Sequence, residues 1–247
     1  MTILNFYQKP VILDRNAHRK VRLKAPSKGF SYVTSTIAVP LAPIEFPQAV
    51  AEFPIVFALS EDGPGMPIAL MGLRENENLL VDESGKWLAD YIPAFVRRYP
   101  FVLNIDPNNG APMVLIDEAF DGINETEGEP LFAEDGTESP MLQSTLAFLG
   151  DFRQQSEHAN QFMLTLKKHD LLVPQMLTFG EGGENSVKLE GFYIVDEKRL
   201  LALGDAALLE LTRNGDLGRI YTHLLSLNNA NRLIRRMANK APAAAAA

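Results

Sequence analysis

The spacing of apolar residues changes period along the chain, and each change marks an element. Residues 11–39 are rich in β-branched and aromatic side chains broken by turn formers, and Arg19, Val21 and Leu23 interleave with Lys20, Arg22 and Lys24. That alternation predicts an edge strand whose charge discourages pairing with another chain, with an anion-binding strip as the alternative. Pro40, Pro43 and Pro47 space a connection into a short helix over 48–52. Two apolar runs, 53–60 and 67–72, are joined by EDGPG and predict a buried antiparallel pair, with a third strand over 78–82. Runs at 101–105 and 113–117 flank DPNNGAP and predict another hairpin.

Beyond residue 138 the period becomes helical. Ser139 followed by Pro140 is an N-cap and first-turn signature. Leu142, Leu146, Leu149, Phe152, Ala159, Met163 and Leu166 then recur at helical spacing, which predicts one long amphipathic helix to about Asp170, with Gly150 a point of interruption. Segments 177–179 and 187–196 around GEGGEN predict a hairpin, and four helices follow over 197–203, 205–213, 217–227 and 231–239. The fold class is therefore α+β, with a mostly antiparallel sheet in the N-terminal half, a long amphipathic helix and a helical C-terminal region. Its expected divisions are a sheet-rich half with short inserted helices (1–117), an acidic connection (118–138), a helix-rich half carrying a hairpin and packed with the first as one domain (139–240), and a disordered tail (241–247).

Charge and composition narrow the chemistry. The 247 residues carry 31 acids against 23 bases, a net charge of -8, which opposes general binding to nucleic acid or anionic membrane. With no cysteine there is no disulfide framework, thiolate nucleophile or sulfur-ligated zinc. The four histidines, His18, His158, His169 and His223, lack metal-ligand spacing. An EF-hand read from Asp117 fails, because Ala119 occupies the third ligand position and Gly128 the twelfth. GEGGEN lacks the Lys and Ser/Thr of a phosphate-cradling loop, and no GxSxG elbow is present. Neither a metal nor a cofactor is expected. The N-terminal segment MTILNFYQKP lacks the features of a secretory leader, so the expected address is cytoplasmic. No apolar run approaches the ~20 residues of a membrane span.

The densest stretch is WLADYIPAFVRRYPF, residues 87–101. Leu88, Ile92, Phe95 and Tyr99 fall at helical spacing, Pro93 suits a first turn, and Pro100 ends the helix, leaving Arg97 and Arg98 in its last turn. One reading is a short core helix capped by two arginines. The other is a recognition surface in which Arg97 or Arg98 grips a carboxylate or phosphate, and it makes Trp87, Tyr91, Arg97, Arg98 and Tyr99 the candidate ligand- or partner-binding residues. On it, Arg98→Ala is expected to weaken binding more than stability. His223, on the polar side of its helix with Asp216, Arg219 and Ser226, is the one candidate catalytic side chain.

Three blocks, YIPAFVRRYPF (91–101), GFYIVDEKRLLAL (191–203) and IYTHLLSL (220–227), resemble the bacterial SapC-like family in sequence, order and overall length. That resemblance implies a link with surface-layer formation or outer-membrane nutrient-uptake loci, where such proteins sit beside flavin-dependent halogenase-like and cupin-like proteins. It implies no catalytic residues. The same family name has been attached to a peptide-transporter permease, which the lack of any membrane span here contradicts. The expected function is a non-enzymatic accessory or binding protein of such a system, engaging a protein partner or small-molecule ligand and associated with the surface through it. The alternatives are an enzyme or enzyme subunit acting on a small molecule or peptide, with Tyr91, Arg97, Arg98 and His223 converging, and a structural surface-layer component.

Overall fold

A computed structural model describes residues 6–61, 63–106, 109–179 and 187–240. Its strands are, in order, β1 (Pro10–Ile12), β2 (Arg22–Leu23), β3 (Ala38–Pro40), β4 (Ile55–Ala58), β5 (Met66–Leu70), β6 (Phe101–Ile105), β7 (Pro112–Asp117), β8 (Ile123–Asn124), β9 (Glu129–Pro130), β10 (Leu172–Phe179) and β11 (Val187–Val195). The helices are α1 (Phe46–Ala49), α2 (Ala94–Arg97), α3 (Pro140–Lys168), α4 (Glu197–Leu201), α5 (Asp205–Arg213), α6 (Asp216–Ser226) and α7 (Ala230–Lys240). All strand pairings are antiparallel, and the fold is α+β. The chain forms two compact units that do not follow sequence order: Met1–Val33, Val81–Trp87 and Ala94–Gln154 make the first, and Thr34–Leu80, Leu88–Pro93 and Gln155–Ala247 the second.

In the first unit, β6 and β7 form the expected hairpin and β1 adds to the other edge of β7. The N-terminal half of α3 is capped by Ser139, whose Oγ accepts from the Leu142 amide at 3.2 Å. It buries Leu142 and Leu149 with Phe101, Ile116, Leu131 and Phe132. Leu103, Val114 and Leu146 pack against the same cluster, so Phe101 and Leu103 on β6 and Val114 and Ile116 on β7 alternate, and Leu142, Leu146 and Leu149 recur every three or four positions on α3.

The basic strip departs from its expected form. Only Arg22 and Leu23 are strand, and β2 is central rather than at an edge, paired with β8 on one side and β9 on the other. Both neighbours come from the acidic segment, which thus builds part of the first unit. Polar contacts accompany the match: Lys24 Nζ lies 2.8 Å from Glu127, Lys9 2.7 Å from Glu118, and Arg22 Nε donates to the Gly128 carbonyl at 3.0 Å. Between the basic and acidic segments, Gly85 sits at φ +83°, where a Cβ would collide with the Lys28 carbonyl oxygen. That close approach lets the Gly85 carbonyl accept from Phe30 N at 2.8 Å.

The second unit is built on a five-stranded sheet, ordered β10-β11-β4-β5-β3. Phe57 on β4 and Phe46 on α1 both meet Phe162 on α3, each with ring centroids 6.0 Å apart. The expected strand at 78–82 does not form. Buried Asn78 accepts the Leu80 amide on its Oδ1 at 2.8 Å, an Asx-type turn that competes with extended pairing. β3, from the proline-rich connection, fills the place beside β5 instead. α3 runs unbroken through Gly150, and α4 to α7 follow the C-terminal pattern closely. The GEGGEN turn and the tail lie outside the described residues.

Candidate functional site

The 87–101 block is irregular rather than helical up to Pro93, with a bridge at Trp87 and a bend after it, and α2 is a single turn. Pro93 restricts Ile92 to extended backbone, so the turn cannot grow backwards, and the cis Tyr99–Pro100 bond follows its end. The Leu88, Ile92, Phe95 and Tyr99 stripe is therefore not one helical face, and Leu88 is exposed.

That short turn gives adjacent arginines opposite environments. Arg98 is buried, with its guanidinium carbon 4.0 Å from the Phe95 ring centroid, 5.0 Å from Phe152 and 5.8 Å from Tyr7. The Tyr7 hydroxyl donates to the Phe101 carbonyl at 2.7 Å and accepts a hydrogen bond from Arg98. Burial lowers the Arg98 pKa from its ordinary value, and the Tyr7 contact opposes the shift. The Tyr7 phenol is pushed up to about 12, chiefly by burial, with Arg98 acting the other way.

Around Arg98 lies an aromatic cluster. Tyr32 stacks on Tyr99 at 4.2 Å, and Phe6 meets Tyr7, Tyr32, Phe95 and Tyr99 within 5.6 Å. The Tyr99 hydroxyl donates to Asp117 at 3.2 Å. Asp117, wholly buried at the end of β7, also accepts the amides of Gln8 at 2.9 Å, Lys9 at 2.8 Å and Ala119 at 3.0 Å. Four donors satisfy this carboxylate, which ties the N-terminal segment to the sheet.

Arg97 faces outward. Its guanidinium carbon sits 5.2 Å from the Phe148 ring centroid, a cation–π contact at the rim of an open cleft of about 470 Å³. The cleft is walled by Tyr99, Pro100, Phe101, Phe120, Met141 and Phe148, with Arg98 behind them, and Leu23, Lys24, Glu129, Ser144 and Thr145 complete it. Met141, Thr145 and Phe148 fall at i, i+4 and i+7 on α3, a stripe beside its core face.

The other candidates have different surroundings. Trp87 is buried, bridged to Val81, with its ring 5.4 Å from Phe30. Tyr91 belongs to the second unit and donates to Glu45 at 2.7 Å, while the other oxygen of Glu45 accepts the Ala42 amide. His223, also of the second unit, is fully buried rather than on a solvated face. Its Nδ1–H donates to the Ile55 carbonyl at 2.7 Å and its Nε2 accepts from the Val195 amide at 3.0 Å. Among the described residues β4 and β11 pair at one position, Tyr193 with Phe57, and the His223 ring adds a second link between them. Burial holds its pKa down at about 4, against a smaller opposing effect of the Ile55 bond. A neutral imidazole with both nitrogens engaged by main chain is a structural link, with neither proton nor lone pair to offer a substrate.

The family model for SapC matches residues 13–233, a span that includes the cleft, Arg98 and the cluster's Tyr32, Phe95 and Tyr99, but not its Phe6 and Tyr7. The chain belongs to the SapC family. No curated protein and no solved structure matches it. Among the described residues of this SapC-family chain, no helix is long and apolar enough to cross a membrane, and no group of three or more histidine or acidic side chains is placed to hold a metal ion.

The 87–101 reading located Arg97 and Tyr99 at the cleft and missed its far wall. Phe120, Met141 and Phe148 are distant in sequence and look like ordinary core residues, although the 141, 145, 148 stripe was legible as a second face of α3.

Proposed function

We propose that this SapC-family chain is a non-enzymatic accessory protein of a bacterial surface-layer or outer-membrane nutrient-uptake system, and that it works by recognition in the Arg97 cleft. The observation that carries the reading is the placement of the end of the aromatic and arginine block: residues 97–101 form one wall of a cleft whose size falls in the ~300–1,000 Å³ range of small-molecule sites. Below that wall, Arg98 and Asp117 are tied into the fold by hydrogen bonds, and this holds the recognition residues in a fixed arrangement. The buried, fully engaged His223 favours binding over catalysis. A cytoplasmic address with association to the surface through the bound component is part of the same proposal.

Co-purification from the native bacterium followed by mass spectrometry tests it, using wild type and an Arg97→Ala, Phe148→Ala double variant. Wild type should retain an envelope or uptake component, or a small molecule, that the folded double variant loses. Equal recovery by both proteins would remove the cleft from the function.

A further inference from the structure

Charge is unevenly spread along this chain. All 31 acids lie at or before Asp216, while five of the 23 bases follow it, so residues 217–247 carry +5 in a chain of net charge -8. We propose that the outer face of α6 and α7 docks on a membrane surface rich in anionic phospholipid, with the α7 cations at the headgroup phosphates and Tyr221 and Leu225 entering the acyl boundary.

The backbone is helical from Asp216 to Lys240, since α6 passes through a 3-10 turn (Leu227–Asn229) into α7. Ile220, His223, Ser226, Asn229 and Leu233 are buried at steps of three or four and fix the inner side of this segment on the second unit. Tyr221, Leu225, Asn228, Asn231 and Arg235 are exposed at the same steps, which makes one outward ridge roughly 20 Å long. Leu225 is 66% exposed, an unusual position for a leucine. The cations along the ridge keep their charge. Arg219 pairs with Asp216 at 2.6 Å and Arg232 lies 3.7 Å from Glu52, but among the described residues Arg235, Arg236 and Lys240 form no ion pair. Arg236 donates to the Leu88 carbonyl at 3.1 Å and Lys240 to the Asn78 carbonyl at 3.2 Å, contacts that orient a cation without neutralising it.

The mixture of side chains on one ridge selects the occupant. A groove on another protein takes a helix by apolar anchors at i, i+3 or i+4 and i+7, and here the anchors give way to Asn228, Asn231 and Arg235. A nucleic acid would satisfy the cations but set Tyr221 and Leu225 against phosphate. An anionic bilayer meets both needs: its charged surface holds basic side chains, and leucine and aromatic side chains bury where headgroup gives way to acyl chain, along a helix lying in the plane. None of these residues lines the Arg97 cleft, so either reading can fail without the other.

Co-sedimentation of the full chain with vesicles of phosphatidylcholine alone, or mixed with phosphatidylglycerol, would measure this at low and high salt for wild type, Arg235→Glu and Leu225→Ser. Both positions are exposed, so the melting temperatures should match wild type. Wild type should bind the mixed vesicles at least tenfold tighter than the neutral ones, and Arg235→Glu, a change of two unit charges at about fivefold each, should remove most of that preference. The loss should shrink at high salt, where charge is screened, while Leu225→Ser weakens binding at both salt levels. Equal binding to the two kinds of vesicle, binding that either substitution leaves undiminished, or no binding to vesicles would overturn the proposal. Arg235-dependent binding of polyglutamate or of duplex DNA, without binding of vesicles, would give the ridge to an acidic macromolecule and refute the lipid reading.

Discussion

Acidification should charge His223 only at the expense of the fold. The ring has an ordinary pKa of 6.5 and is held at about 4 in the folded chain, a difference worth about 3 kcal/mol. The geometry explains the resistance, because a proton added at Nε2 would face the Val195 amide, donor against donor. The packed surroundings include Phe57, with its ring 4.7 Å away, and no charged group contributes to the shift. Between pH 6.5 and 4 the unfolded chain binds more protons at this site than the folded one, so stability rises with pH across that window. The contribution is full above pH 6.5 and lost below about 4.

Urea unfolding followed by circular dichroism at pH 7.5, 6.5, 5.5 and 4.5 would resolve this when wild type is set beside His223→Phe. The phenyl ring keeps most of the volume but leaves the Ile55 carbonyl and Val195 amide unpaired, at about 1–3 kcal/mol each. The variant should therefore be less stable by about 2–6 kcal/mol at pH 7.5, and the gap should narrow by about 3 kcal/mol towards pH 4. Taking the difference cancels the exposed carboxylates, which titrate alike in both proteins. A gap that stays constant across the series would mean that His223 titrates as an ordinary histidine, and the buried bridge between β4 and β11 would be refuted.

Arg98→Met should cost about 2 kcal/mol, from the lost Tyr7 hydrogen bond and ring contacts, while Arg97→Ala stays within about 0.5 kcal/mol; thermal melts showing the reverse order would exchange their roles. Asp117→Asn should destabilise by about 2–3 kcal/mol, because an amide cannot accept from every donor that meets this carboxylate, and hydrogen exchange at Gln8 and Lys9 should quicken. Protection unchanged at those two amides would contradict the tie. Tyr7, Tyr32 and Tyr99 all have phenol pKa values raised chiefly by burial, so ultraviolet titration of the folded protein should leave at least these three tyrosines un-ionised at pH 11. Their contribution to stability is full below pH 10 and declines as pH rises towards about 12, and ionisation of all six tyrosines by pH 11 in the folded state would show the cluster to be open to water.

The elements that sequence resolves well are those whose signal is local. α3 is announced by Ser139, Pro140 and a stripe sustained from Leu142 to Leu166, and the β6–β7 hairpin by its loop. The failures come where pairing partners are remote. Nothing near Arg22 shows that its neighbours will be Asn124 and Pro130, each more than a hundred residues later, and a strip of bases reads as an edge until the acidic segment is placed beside it. His223 failed for a related reason. Its helix neighbours Asp216 and Ser226 look polar and solvated, but both are buried, and the partners that make His223 structural, Ile55 and Val195, lie on two different strands.

The paired arginines sharpen the point, because nothing local separates them. Successive residues in a helical turn point about 100° apart, so two adjacent long cations cannot share one face. The chain settles which one turns inward by what stands across from the turn: Tyr7 and Phe152 beside Arg98, Phe148 beside Arg97. A recognition role assigned to the pair therefore divides. On the proposed function, Arg98 shapes the wall from behind, through Tyr7 and the aromatic cluster, and Arg97 meets what enters the cleft. A binding defect from Arg98→Ala would come with loss of stability, whereas one from Arg97→Ala should come without it, and that separation is the measurable difference between holding a site and being one.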